Sequence, residues 1–343
     1  MTDRSLSRIV VFKPGPIGDF LHSLPAVAAL RASFPESWIA VVTGPENADL
    51  VEAHPAVDER IYIPSHLFRG DASGLVRFIG QVRALRPDLF VDLKANAKSF
   101  LVGGLSGAGR VLRYRKQRRV GPGKRRLHAI ENLLETVVPV TGAVPEPAFR
   151  VHLRKEDEEM AEAYCRSLGA GAAEAGERSA PLVAFNPNVS IPDSSRHWPP
   201  GHFVRLGDRI GAELGAAVVL IGGPGDRAYC DSIASAMVRK PAVSAGYLTL
   251  GQTGALLRRC RVLVTGDTGP MHLAAAIGTK TIALFGSMDA RRAGPYGDGH
   301  VVIRKELWCA PCEQRICPLG TTQCMKDITP EEVFLEVKKA LDK

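Results

Sequence analysis

Between Val264 and Gly286 the chain reads VTGDTGPMHLAAAIGTKTIALFG, and no other stretch limits the fold as much. A β-branched apolar run (Val262 to Thr265) meets the turn Gly266-Asp267-Thr268-Gly269. A helical pattern runs from Met271 to Ile277, stops at Gly278, and gives way to a second apolar strand from Thr281 to Phe285. Strands that are apolar along their whole length belong in parallel sheets covered on both faces. The turn sets Asp267, Thr268 and the amides from Gly269 onward at the open end of a helix. Unpaired N–H groups and the macrodipole attract anionic oxygens there. A phosphate and sugar hydroxyls suit such a place. So does a plain connection in which Asp267 or Thr268 only caps the helix.

The same alternation fills the rest of the sequence. Strands are expected at 8–13 (RIVVFK), 38–43, 60–63 and 89–93, with helices near 20–30, 46–53 and 75–85 between them. Pro25 predicts a kink or an early helix start. Helices near 129–138 and 155–168 follow, and then 169–181 (GAGAAEAGERSAP), which lacks large apolar residues and reads as a linker. A second alternation begins at 182–186, with strands at 217–221 and 242–244 and helices near 200–214, 226–238 and 253–260. Thr329-Pro330-Glu331-Glu332 is a capping box with proline in the first turn, opening a helix to Leu341. A length of 343 residues accommodates two domains. The expected division is 1–168, a linker at 169–181, 182–328, and a final helix at 329–343, each half a doubly wound α/β sheet.

Charge is concentrated. The chain carries a net +8, yet eleven Lys/Arg and no Asp/Glu lie between Leu93 and Ile130, so the remainder is net negative. Such a patch points to an anionic partner: nucleic acid, phospholipid or a phosphorylated glycolipid. Tyr114 is the only aromatic between Val111 and Glu135, which argues against stacking on nucleic-acid bases. No apolar run approaches membrane-spanning length and the N-terminus has no leader-like core, so a cytoplasmic protein is expected. Cys165, Cys230 and Cys260 are scattered and read as buried thiols, whereas Cys309, Cys312, Cys317 and Cys324 cluster as C-x2-C-x4-C-x6-C. That spacing fits a structural metal knot or an unmetallated packed loop.

Other positions suit chemistry. Asp19, on the turn after the first strand, can take a proton from a substrate hydroxyl or cap the helix that follows. In SSRHWPPGHF (Ser194 to Phe203), Arg196 offers a forked donor to a pyrophosphate, or is a solvated arginine. Trp198-Pro199 looks like a packed corner. Asp226, in the Gly-rich turn GGPGD, suits ribose hydroxyls, although the turn lacks the G-x-G-x-x-G pattern. His272 lies one turn into the helix after Asp267, either structural or functional.

PIGDFLHSLPAVAALRASFP, SSRHWPP, GDTGPMHLAAAIGTKTIALFG with Gly294-Pro295-Tyr296-Gly297, and CAPCEQRICPLGTTQCMKDITPEEV occur in this order. Together they resemble glycosyltransferase family nine, the ADP-heptose:lipopolysaccharide heptosyltransferases. The resemblance implies a GT-B fold, two Rossmann-like domains with parallel sheets facing a central cleft, the last helix returning toward the first domain. It implies an inverting, metal-independent transferase without a cofactor, moving heptose from ADP-heptose to Kdo–lipid A or heptosyl-Kdo–lipid A, the cysteine tail leaning to the second heptose. Asp19 matches the family's proposed base. Arg196 stands where the family's K-x-W-P motif has a lysine, keeping the charge but not its geometry. Asp267, Thr268, Gly269, Pro270, Met271 and His272 match the donor motif, and Asp226 lies near an acidic position facing adenosine. Arg113, Arg115, Lys116, Arg118, Arg119, Lys124, Arg125 and Arg126 would face a phosphorylated lipid A-type acceptor at the cytoplasmic face of the inner membrane. A different nucleotide-sugar donor, or a non-catalytic nucleic-acid-binding role, are the alternatives.

Overall fold

The computed structural model describes residues 6–63, 72–116, 127–143, 147–169, 180–187 and 194–342. It divides into two compact units, Met1–His152 and Leu153–Lys343.

The first unit carries β1 (Arg8–Phe12), β2 (Trp38–Thr43), β3 (Glu59–Tyr62), β4 (Leu89–Asp92) and β5 (Arg110–Arg113) in the parallel order β3-β2-β1-β4-β5. Its helices are α1 (Ile17–Leu21), α2 (Leu24–Ser33), α3 (Ala48–Glu52), α4 (Ala72–Ala84), α5 (Ala97–Leu105), α6 (Ala129–Leu134) and α7 (Val138–Thr141). Residues 9–12 of β1 and all of β4 are buried, as strands covered on both faces must be. Pro25 sits in the first turn of α2, so the chain breaks between α1 and α2 and restarts rather than kinking.

Among the elements that depart from the sequence reading, two lie in the first unit. Residues 110–113, read only as the start of a basic segment, form edge strand β5, where Val111 and Leu112 pair with β4 and the flanking arginines reach solvent. Residues 97–105 form α5, started by a capping box in which Asn96 and Ser99 exchange side-chain and backbone bonds.

The second unit carries β6 (Leu182–Asn186), β7 (Ala217–Leu220), β8 (Ala242–Val243), β9 (Val262–Gly266), β10 (Thr281–Phe285) and β11 (Val301–Arg304), parallel in the order β11-β10-β9-β6-β7-β8. Its helices are α8 (Lys155–Ser167), α9 (Pro200–Glu213), α10 (Arg227–Ala236), α11 (Leu250–Arg259), α12 (Gly269–Ile277), α13 (Ala290–Ala293), α14 (Gln323–Lys326) and α15 (Pro330–Leu341). Helix α8, expected with the first half, packs on α11, tied by ion pairs from Arg258 to Glu158 and from Arg259 to Glu162. The division between the units therefore precedes α8 rather than following it. Helix α15 packs on α9, with the Arg209 guanidinium 3.9 Å from the Phe334 ring centroid. Trp198 is the expected corner: its indole N–H donates to the Ile328 carbonyl at 2.8 Å and its ring meets Phe203 edge-on. No helix among the described residues is long and apolar enough to cross a membrane.

Candidate active site

Each sheet reverses its winding once, between β6 and β9 in the second unit and between β1 and β4 in the first. Ligands of open α/β sheets bind beyond the carboxyl ends of the strands at such a point. Arg196, Asp267 and Thr268 lie at the first of these places and Asp19 follows β1 at the second, whereas Asp226 follows β7.

In the second unit, Asp267 follows β9 and is nearly buried, and Arg196 reaches it across the sheet end. The guanidinium Nη1 donates to Asp267 Oδ2 at 3.0 Å and to the Asp267 carbonyl at 3.2 Å, while its buried Nε has no hydrogen-bond partner. Arg196 is thus neither solvated nor loose. Thr268 is the N-cap of α12, yet its hydroxyl makes no capping bond. It accepts from Asn186 Nδ2 at 2.8 Å and lies 3.0 Å from Thr265 Oγ1. Asn186 also donates to Thr265 Oγ1 at 3.1 Å. The hydroxyl is therefore drawn sideways to the end of β6, and the first-turn amides of Gly269 and Met271 are not taken up by the cap side chain (Pro270 has no N–H). Met271 is wholly buried against Ala283 and Phe285, and His272 is buried as well. An arginine beside an uncapped helix start is a place for a diphosphate.

Asp226 lies at the end of β7, and its Oδ2 accepts from the Gly223 amide at 2.7 Å, closing its own turn. A Cβ on Gly222 would come within 2.8 Å of that carboxylate oxygen, so the turn requires glycine there.

In the first unit, Asp19 lies in the first turn of α1, exposed, and does not cap it: Pro16 holds the N-cap position. Among the described residues its carboxylate accepts no hydrogen bond, and the nearby charge that acts on it is Lys13. Lys13 directly follows β1 and is buried, with Nζ donating to the Leu93 carbonyl at 3.1 Å. Burial pushes this ammonium down to about 8, against the pull of Asp19 and Asp92, with Lys94 adding to the depression. Across the reversal, Asp92 accepts the amides of Lys94 and Ala95 and the Ser99 hydroxyl. Gly15 (φ +151°) brings the turn close to the Lys94 ammonium, 3.0 Å from where a Cβ would stand. Neither Lys13 nor Asn186 was singled out in the sequence. Both are polar residues closing an all-apolar strand, a signal that gains meaning only once strand order is known.

Of the basic residues, Arg113, Arg115 and Lys116 are described, while Arg118, Arg119, Lys124, Arg125 and Arg126 lie outside the described residues. A cavity of about 1060 Å³ opens beyond the ends of β4 and β5, lined by Asp92, Asn96, Phe100, Arg113, Arg115 and Glu135 among others. The Arg113 guanidinium lies 4.2 Å from the Phe100 ring centroid, and its Nε is buried without a hydrogen-bond partner.

Cys165, Cys230 and Cys260 are buried, and burial raises all three thiols, Cys230 to about 12. In the tail, amides of Thr322, Leu319 and Thr321 lower the Cys317 thiol, while burial raises Cys324. Among the described residues no three His, Cys, Asp or Glu side chains are gathered to hold a metal ion, while Cys309, Cys312 and Cys317 act on the Cys324 thiol as nearby charges.

Residues 81–323 match the model of glycosyltransferase family 9 (heptosyltransferase). The chain is 26% identical to lipopolysaccharide heptosyltransferase 2 of Escherichia coli strain K12, the alignment covering 97% of this chain and 98% of that protein. It is 25% identical to lipopolysaccharide heptosyltransferase 1 of Pseudomonas aeruginosa, over 92% of this chain and 89% of that protein. With a lipooligosaccharide heptosyltransferase 2 of Campylobacter jejuni it shares 28% identity, and the chain spans about half the length of that relative (51%). Among solved structures, a family 9 glycosyl transferase from Veillonella parvula superposes with a TM-score of 0.85 at 22% identity, over 99% of this chain and 98% of that one. The E. coli ADP-heptose lps heptosyltransferase II gives 0.74 at 24%, over 97% and 98%. The shared architecture is GT-B. With two doubly wound sheets and a family match across most of its length, the chain belongs to glycosyltransferase family 9.

Proposed function

We propose that this protein transfers a heptose from ADP-heptose to the inner core of lipopolysaccharide, with inversion at the anomeric carbon and without a catalytic metal. The observation that carries the reading is the Arg196–Asp267 pair beside the uncapped start of α12. In this reading the second unit holds the donor and the first the acceptor. The acceptor hydroxyl gives its proton to Asp19 as its oxygen bonds to the anomeric carbon, and the bond from that carbon to ADP breaks. Negative charge then grows on the β-phosphate, where Arg196 and the α12 amides offset it. Asp267 orients Arg196 and meets sugar hydroxyls. His272 and Met271 back the turn, and Asp226 stands near the adenosine side.

The named relatives support the heptose, and several of them are heptosyltransferase 2 proteins, which favours heptosyl-Kdo–lipid A as acceptor. Arg113, Arg115 and Lys116, with the cations that follow them in sequence, suit the phosphates of such a lipid at the cytoplasmic face of the inner membrane. The test is release of ADP from ADP-heptose with Kdo2–lipid A or its heptosylated form. Turnover is expected with the heptosylated acceptor. Stabilisation by UDP- or GDP-sugars in place of ADP-sugars, with no turnover on either acceptor, overturns the reading.

A further inference from the structure

Helix α5 has the wrong outside for a helix bathed in water. It buries Ser99, Val102 and Gly103 on the sheet, and its opposite face consists of Ala97, Phe100, Leu101, Gly104 and Leu105, all exposed. Phe100 is 62% exposed, Leu101 44% and Leu105 49%. A surface helix ordinarily turns charge outward, yet the nine residues hold no acid and a single cation, Lys98. Val138 of α7, 39% exposed, adds a further apolar side chain in the same unit. Cations accompany this face. Arg113 stacks on the Phe100 ring, Arg110 donates to the Pro139 carbonyl beside Val138, and Arg115 and Lys116 are exposed beyond β5. No carboxylate occurs in sequence from Leu93 to Ile130.

We infer that the outer face of α5 is a membrane-docking surface, with Leu101, Leu105 and Phe100 entering the headgroup–acyl boundary and the arginines meeting anionic lipid phosphates. Apolar side chains beside cations, on a helix that itself carries no acid, are the composition of an interfacial helix. A second copy of the chain is a poorer occupant, because a two-fold contact sets the same basic patch against itself. Nucleic acid would satisfy the cations but leave Leu101 and Leu105 against a charged backbone. The inference goes beyond the transferase reading and stands whatever sugar is moved, since the vesicles that test it contain neither nucleotide nor glycan.

The full chain is sedimented with phosphatidylcholine vesicles, with and without phosphatidylglycerol. Binding to the anionic vesicles is expected, and Leu101→Ser with Leu105→Ser should weaken it roughly tenfold or more. Arg115→Ala should weaken it about fivefold and reduce its salt dependence. Trp308→Ser, at an 88%-exposed site in the second unit, should change nothing. Should the double serine variant fold poorly, Leu105→Trp replaces it: its fluorescence should shift to the blue when anionic vesicles are added. The inference is overturned if the wild type binds no vesicles, if the serine variant binds as well as the wild type, if binding depends on Trp308 instead, or if the leucines prove to hold a dimer in sedimentation without lipid.

Discussion

Each winding reversal carries a cation, half-buried Arg196 in the second unit and buried Lys13 in the first, and they treat it in opposite ways. In the second unit Arg196 lies against a carboxylate, giving Asp267 a direct ion pair at 3.0 Å. In the first unit Lys13 has a carbonyl for a partner, with Asp19 and Asp92 acting on it as charges rather than as close contacts, and its ammonium is pushed down to about 8. A paired buried cation is costly to remove because its partner is left charged and alone. A cation held without a close partner is costly to keep. The second site thus matches its cation with a close carboxylate, whereas the first retains, among the described residues, an unpaired positive charge beside its proposed base. That difference fits the proposed roles, a donor phosphate held by fixed groups of the second unit and an acceptor hydroxyl met by an exposed carboxylate of the first.

The comparison can be broken in three ways. The largest effect is expected at Asp19: Asp19→Asn should cut kcat about 10³-fold with donor affinity unchanged, measured by ADP release and by nucleotide titration. A variant within tenfold of wild type would strip the first site of its role. Next, Arg196→Met should lower the stability of the second unit by roughly 3 kcal/mol and weaken ADP binding, because Asp267 is left buried without its cation; urea unfolding reads this. Lys13→Met should act the other way, raising stability by about 2 kcal/mol at pH 7 while lowering turnover. The pH dependence follows from the depressed ammonium. Below about pH 8 both folded and unfolded states carry the proton, and the burial cost is constant. Between about 8 and the ordinary lysine value of 10.5 the folded state loses its proton first, so the wild type gains stability as pH rises. Lys13→Met should be flat across that window. A loss of stability in Lys13→Met at pH 7 would show the two cations to be alike.

The alternation of strands and helices was legible because buried parallel strands are apolar at every residue, and such runs have few other uses. What escaped notice depends on tertiary partners. Helix α5 carries two adjacent glycines and has no polar outer face, so neither propensity nor periodicity marks it. Packing of Gly103 against Phe90 and the Asn96–Ser99 capping box make it a helix. Strand β5 is hidden by its arginines, which an edge position tolerates. Helix α8 looks self-contained in sequence, and its attachment to the second unit rests on Arg258 and Arg259 of a helix ninety-odd residues away. At the site, Asp19, Arg196, Asp267 and Thr268 stood out as polar residues in Gly- or Pro-rich turns. Asn186 and Lys13 did not, because a residue at or just past a strand's end becomes a site only where the sheet changes direction.

The sideways tether on Thr268 has an engineering consequence. A hydroxyl that bonded the helix start would have to be displaced each time a diphosphate arrived, and every turnover would begin by undoing a contact. With Asn186 occupying it instead, the Gly269 and Met271 amides stand, in the proposed reading, where a diphosphate needs them. An aspartate introduced at 268 would plug that opening with the protein's own anion, turning the chain into a self-inhibited form of itself.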